Sequence, residues 1–219
     1  MVPKFDFYVF DWDGTVMDTT SAIAEGIIYA FEKLNYNHPD LEKTKSIIGT
    51  DWMRAIFTLA PDFKLEDYAD FEAAYREYYL VKEREVTLFP GIEALLVAMR
   101  EKGLLTAIAT GKSRRGLNRV FAQTGIAHLF DDTITADEAR AKPDPLMLEI
   151  LCSRNGVDPQ KTVMIGDASY DIELAKNAGC ACVAVSFGAF SREKLAAYHV
   201  PVCDTIEELK VALGLDEIL

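Results

Sequence analysis

Long hydrophobic runs are missing from this chain. No stretch approaches the roughly 18 apolar residues of a membrane-spanning helix. The one apolar start, Phe5 to Phe10, is interrupted by Asp6 and followed at once by Asp11 and Asp13, so it does not read as an export signal. Cysteine is scarce: Cys152, Cys180, Cys182 and Cys203 have neither Cys-x-x-Cys spacing nor the density of a disulfide scaffold. Cys180 and Cys182 fall in an apolar run that reads as a strand, where residues i and i+2 share a face, and are expected to be small core residues. Histidine is scarcer still: His38, His128 and His199 show no partner pattern and read as surface or loop residues. Cations are outnumbered, 23 Lys and Arg against 35 Asp and Glu, giving a formal charge of −12. Surfaces that hold phosphate backbones or anionic lipid need clustered Lys and Arg, so neither nucleic acid nor membrane is an expected partner. With 50% hydrophobic and 26% charged residues, dominant disorder is excluded as well. The expectation is a cytoplasmic globular protein, monomeric or homodimeric.

What is present is an alternation. Phe5–Phe10, Leu104–Ala109, Thr162–Ile165 and Cys180–Val185 read as strands. Between and after them, residues 91–102, 114–124, 145–155 and 170–177 carry apolar positions at helical period. Strands alternating with 10–15-residue helices imply right-handed crossovers and a parallel sheet covered on both faces: an α/β, doubly wound, Rossmann-like core. One region breaks the pattern. From Thr19 to Arg84 there is no convincing strand, only helical stretches (21–34, 41–48, 52–59 and 65–84) separated by Asn35–Pro39, Gly49 and Pro61-Asp62. That is far more chain than a crossover requires. It reads as an inserted helical cap over residues 17–87, with the core made of residues 1–16 and 88–219.

Ligands of open parallel sheets bind beyond the carboxyl ends of the strands. At those ends stand Asp11-Trp12-Asp13-Gly14-Thr15, then Thr110-Gly111-Lys112, then Gly166-Asp167 with Asp171 four residues on; Lys142-Pro143 precedes a helix. An isolated Asp at a strand end is usually a cap or turn former. Carboxylates, a hydroxyl and a lysine converging on one rim are a cation site beside an anion site, which a Mg²⁺-dependent phosphoryl-transfer centre needs. Trp12 alternates with the two Asp residues and is expected to turn into the packing layer instead.

These four elements, in this order, resemble the motifs of the haloacid dehalogenase superfamily of aspartyl-nucleophile phosphohydrolases. Asp11–Val16 is similar to the first motif, Thr110 to the second, Lys142 with Pro143 and Pro145 to the third, and Gly166–Asp171 to the fourth. The helical insertion resembles the cap of the branch that contains phosphoglycolate phosphatases and β-phosphoglucomutases. The resemblance implies that Asp11 is the nucleophile and Asp13 the acid and base toward the leaving oxygen and water. Mg²⁺ would be held by Asp11, Asp167 and the backbone carbonyl of Asp13. Phosphate oxygens would be held by Thr110, Gly111 and Lys142, with Asp171 orienting Lys142 or a metal-bound water.

The expected activity is hydrolysis of a small phosphorylated metabolite, phosphoglycolate-like or a sugar phosphate. The alternatives are a phosphomutase of the β-phosphoglucomutase type and, outside catalysis, a phosphate-binding or receiver-like protein. A dehalogenase proper has no need of Asp13 or Asp167. Substrate choice is expected in the cap, whose loop Ile48–Arg54 contains a Gly to bend the chain. Lys45, Arg54, Arg114 and Arg115 are candidate partners of an anionic leaving group. Lys112 is either a substrate contact or a solvated lysine, and Phe71, Tyr75, Tyr78 and Tyr79 read as bundle core.

Overall fold

The computed structural model describes residues 4–216; residues 1–3 and 217–219, the ends of the expected core, lie outside the described residues. Strand β1 (Phe7–Phe10) is followed by four helices, α1 (Thr20–Lys33), α2 (Leu41–Lys45), α3 (Trp52–Leu59) and α4 (Tyr68–Lys82). The alternation then begins: α5 (Ile92–Glu101), β2 (Leu105–Thr110), α6 (Arg114–Thr124), β3 (Asp132–Thr135), α7 (Leu146–Asn155), β4 (Thr162–Gly166), α8 (Ser169–Ala178), β5 (Ala181–Val185), α9 (Arg192–Ala196), β6 (Val202–Cys203) and α10 (Ile206–Leu213). The six strands form one sheet in the order β3-β2-β1-β4-β5-β6, parallel throughout. The order reverses beside β1, so the switch point of a doubly wound sheet lies between β1 and β4.

Alternation along β1 divides the core. Tyr8 and Phe10 pack with Leu95, Leu96 and Met99 of α5, Leu117 of α6 and Leu209 of α10. Phe7 and Val9 face the other way, onto Leu148 and Leu151 of α7 and Leu174 of α8. Both faces are covered, which is why the four residues of β1 are apolar without interruption.

Two short strands were not expected from the sequence. In β3, with sequence Asp-Thr-Ile-Thr, only Ile134 and Thr135 are buried, and β6 is two residues long. Both are edge strands, where solvent replaces one neighbour and the apolar signal fades.

The four helices after β1 gather around a separate apolar cluster centred on Ile27, Phe31, Ile56, Phe63 and Phe71. The Phe31 and Phe71 rings stand 4.8 Å apart. Each such buried side chain stabilises the packing by about 1.5–3 kcal/mol. No helix among the described residues is long and apolar enough to cross a membrane.

Candidate active site

Asp11 follows β1 directly, and its N–H still donates to the Ile165 carbonyl at 2.8 Å, fixing it beside the end of β4. Trp12 is fully buried on the α6 face, its ring edge-on to Phe121 at 5.2 Å. Asp11 and Asp13, on either side of it, both line a cavity of about 1030 Å³ between the four helices and the strand ends. Gly14 completes the turn with φ near +80°, where a Cβ would also overlap the Asp167 carboxylate.

Lys142 is the electrostatic centre. Its side chain has no exposure, and Nζ lies 2.8 Å from Asp11 Oδ1 and 2.7 Å from Asp171 Oδ1. The contact with Asp11 is an ion pair without hydrogen-bond alignment, leaving that buried oxygen with no hydrogen-bond donor among the described residues. Asp171 is fully engaged, because its Oδ2 accepts the Ala168 N–H at 3.1 Å. Asp167 accepts from the Thr15 hydroxyl at 3.2 Å and from the Ala189 N–H at 2.6 Å. Oxygens of Asp11, Asp167 and Asp171 lie within 4.8 Å of one another.

Burial, aided by Asp171 and Asp13 and opposed by Lys142, pushes the Asp11 carboxyl up to about 7. Burial likewise lifts Asp167 well above the ordinary carboxylate range, with Asp171 and Asp11 adding to it. Burial also works against the Lys142 ammonium, yet Asp11 and Asp171 outweigh it and raise the net value. Three carboxylates facing one ammonium leave two formal negative charges to be met, the charge of one divalent cation. The oxygen-only donor set suits a hard ion such as Mg²⁺, so the residues fit the metal that the sequence motifs imply.

The anion side is also assembled. The Thr110 hydroxyl, at the end of β2, accepts the Lys112 N–H at 3.1 Å, so its own proton is free to donate. Gly111 lines the cavity beside it.

A second cluster forms on Asp13. Its Oδ1 accepts from the Thr19 hydroxyl at 2.6 Å and from Lys112 Nζ at 2.8 Å; Oδ2 has no protein donor among the described residues. Lys112 is not a solvated surface lysine; it lines the cavity and is already paired. It is buried, donates also to the Tyr79 hydroxyl at 2.9 Å, and lies 3.8 Å from Glu83. Burial opposes its charge, but Asp13, Tyr75 and Glu83 raise its pKa on balance. Glu83, with 2% of its side chain exposed, is clamped by the Arg119 guanidinium of α6. The segment leaving α4 is thereby tied to the helix that follows β2.

Three of the four candidate leaving-group cations lie off the cavity wall. Lys45 pairs with Glu42 at 3.3 Å along α2. On α3 the wall takes Trp52 and Ala55, and Arg54 points from another face of the helix into solvent. Arg114 is drawn to Glu138 at 2.6 Å and to the Thr133 hydroxyl at 2.8 Å, so it fastens α6 to β3. Arg115 does line the cavity.

Sequence reasoning also missed residues. Tyr75 and Tyr79 are packed in the helical cluster as expected, but they line the cavity too, stacked at 5.2 Å. Glu83 and Thr19 carry no motif; an acid ending a long helix reads as solvated. Gly188 lies so close that a Cβ there would overlap the Gly14 carbonyl and Asp167.

With this geometry in place, comparisons with known proteins are informative. The family described as haloacid dehalogenase-like hydrolase matches residues 8–185. A relative named probable phosphatase IndB, from Dickeya dadantii, is 31% identical over 92% of this chain and 90% of its own. A phosphoglycolate phosphatase of Vibrio cholerae is 28% identical over 85% of this chain and 87% of its own. Among solved structures, a putative haloacid dehalogenase-like hydrolase from Bacteroides fragilis superposes with a TM-score of 0.85 at 22% identity, covering 94% of this chain and 99% of that one. The strand order, the clustered acids around Lys142 and the family match agree: this chain is an enzyme of the haloacid dehalogenase-like hydrolase family.

Proposed function

We propose that the enzyme is a Mg²⁺-dependent phosphatase that hydrolyses a small phosphoester through a phosphoryl group carried transiently on Asp11. The observation that carries this reading is Asp11 itself: a buried carboxylate beside a buried lysine, open to a large cavity. Relatives named phosphatase support it. Residues 17–87 act as the cap and the remainder as the catalytic core.

In this reading an Asp11 oxygen attacks phosphorus, and the bond from phosphorus to the ester oxygen breaks. Asp13 gives its proton to that leaving oxygen, then takes one from the water that attacks the phosphoryl-aspartate, releasing phosphate and restoring Asp11. Lys142, the Thr110 hydroxyl and the Gly111 N–H hold the remaining phosphoryl oxygens. Thr19 and Lys112 hold Asp13 in place through one oxygen, which leaves the other for the leaving group. Asp171 keeps Lys142 aligned. The carboxylates of Asp11 and Asp167 and the backbone carbonyl of Asp13 would hold Mg²⁺. When bound, the metal neutralises phosphoryl charge and lowers the barrier to attack by an anionic carboxylate.

The test is inorganic phosphate release across a phosphoester panel, with Mg²⁺ and with chelator. Metal-dependent release is expected. Conversion of a sugar phosphate to its isomer without release would show a mutase, and turnover undiminished by exhaustive chelation would remove the metal.

Gly188→Ala probes the metal site without replacing a ligand. The added methyl group must push Asp167 and the Gly14 carbonyl apart. The Mg²⁺ concentration for half-maximal turnover is expected to rise about 10-fold or more, the scale of supporting-residue losses at metal sites. An unchanged Mg²⁺ titration would remove Asp167 from that site.

A further inference from the structure

We infer that the leaving group of this enzyme's substrate has a bulky apolar or aromatic body, and not a second anionic group of the phosphoglycolate kind. The inference rests on the phosphatase reading and specifies the substrate class of the same cavity.

The first observation is size. At about 1030 Å³ the cavity is at the upper end of what encloses a drug-sized ligand, and a two-carbon acid would fill little of it. The space is bounded on both sides: Tyr79 meets Lys112, and Gly49 of the loop between α2 and α3 lies 3.8 Å from where a Cβ of Gly111 would stand.

The second observation is the chemistry of the wall. From the helical side it takes the apolar and aromatic residues Ile23, Ile27, Ile47, Ile48, Trp52 and Tyr75, with the Trp52 and Tyr75 rings 4.7 Å apart, and the acids Asp51 and Glu72, which repel an anion. Among the described residues, Arg76 is the only cation this side contributes, and Glu72 already holds it at 2.7 Å. The core-side cations are also engaged: Lys112 by Asp13, Arg119 by Glu83, and Arg140 by Asp144 at 2.8 Å. Arg115 is the exception, and it is exposed, where an ion pair is weak. A carboxylate pressed against this wall would lose water and gain no buried counter-charge. A ring or branched hydrocarbon would gain by leaving water.

The third observation is a single polar anchor. Thr50 belongs to the cavity wall, and its buried hydroxyl has no hydrogen-bond partner among the described residues. One hydrogen-bonding atom on an otherwise apolar leaving group would satisfy it.

The experiment is calorimetric titration of the Asp11→Asn protein, in Mg²⁺, with 1-naphthyl phosphate and with phosphoglycolate. Naphthyl phosphate is expected to bind at least about tenfold more tightly, within the range that apolar pockets discriminate. Trp52→Ala, or Trp52→Phe if the smaller residue unsettles the helices, should weaken the naphthyl ester and leave phosphoglycolate unchanged. Arg115→Ala should shift neither appreciably. Equal affinities, tighter phosphoglycolate, no detectable binding of the naphthyl ester, or a loss confined to Arg115→Ala would each overturn the inference. Wild-type turnover separates this from the broader reading: tight binding of the naphthyl ester without hydrolysis sinks the phosphatase reading alone. Tighter binding of phosphoglycolate with brisk hydrolysis of it sinks the substrate class alone.

Discussion

Asp11→Asn is expected to lower phosphate release by about 10⁴–10⁶-fold, the loss seen when a covalent catalyst loses its nucleophile. The amide has the shape of the carboxylate but no nucleophilic oxygen anion, so the path through a phosphoryl-enzyme closes. Stability should not suffer. Burial lifts the Asp11 carboxyl to about 7, which means the folded state disfavours its charge. A carboxyl raised in this way is ionised at a cost that grows as pH rises through the folded value, and a neutral amide avoids that cost. In chelator at neutral pH, the melting temperature of Asp11→Asn is therefore expected to equal or exceed that of wild type. Turnover within about tenfold of wild type would remove Asp11 from the nucleophile's role.

Lys142→Ala should damage both turnover and fold. The ammonium is enclosed completely, between Asp11 at 2.8 Å and Asp171 at 2.7 Å. Removing one partner from a buried charge cluster costs about 3–5 kcal/mol, because the charges left behind have neither water nor counter-ion. Solvent does not screen this side chain, which has no exposure. Loss of a donor to the phosphoryl oxygens should cost a further 10²–10³-fold or so in turnover of the folded fraction. The signature of this electrostatic origin is coupling. In chelator, Asp11→Asn/Lys142→Ala should be destabilised less than the sum of the two single effects, since the amide removes one of the carboxylates left uncompensated without Lys142. Denaturant titration of wild type, both single variants and the double variant reads this directly. Strict additivity, or a Lys142→Ala loss below about 1 kcal/mol, would contradict the placement of Lys142 as the neutralising charge.

The residues that gather at the candidate site were legible in the sequence because they stand at strand ends. Asp11, Thr110 and Asp167 each follow a short apolar run, and the opposite direction of Trp12 follows from strand alternation alone. The helices from Arg114 to Thr124 and from Trp52 to Leu59 have the bounds that their apolar periodicity indicated. The edge strands β3 and β6 were not legible, because a short strand with solvent on one side has little apolar pattern. Side-chain pairing was not legible either. Nothing in the local sequence distinguishes Arg114, drawn to Glu138, from Arg115, which faces the cavity; the difference is made by an acid 24 residues away. Lys112 was ambiguous for the same reason. Its partners come from two distant segments, Asp13 after β1 and Tyr79 and Glu83 at the end of α4, and only the folded chain unites them. Tyr79 was correctly a packing residue but also a polar one, because a phenol can bury its ring and still present its hydroxyl to a lysine.

The central claim is that Asp11 carries the phosphoryl group, and rapid-quench trapping tests it most directly. Wild-type enzyme is mixed with Mg²⁺ and a phosphoester that it turns over, quenched in acid within milliseconds, digested and examined by mass spectrometry. One phosphoryl group on the peptide containing Asp11, lost on chase with water and absent from Asp11→Asn, is the expected result. Turnover at full rate with no phosphorylated peptide at any quench time, or with the group on another residue, would contradict it.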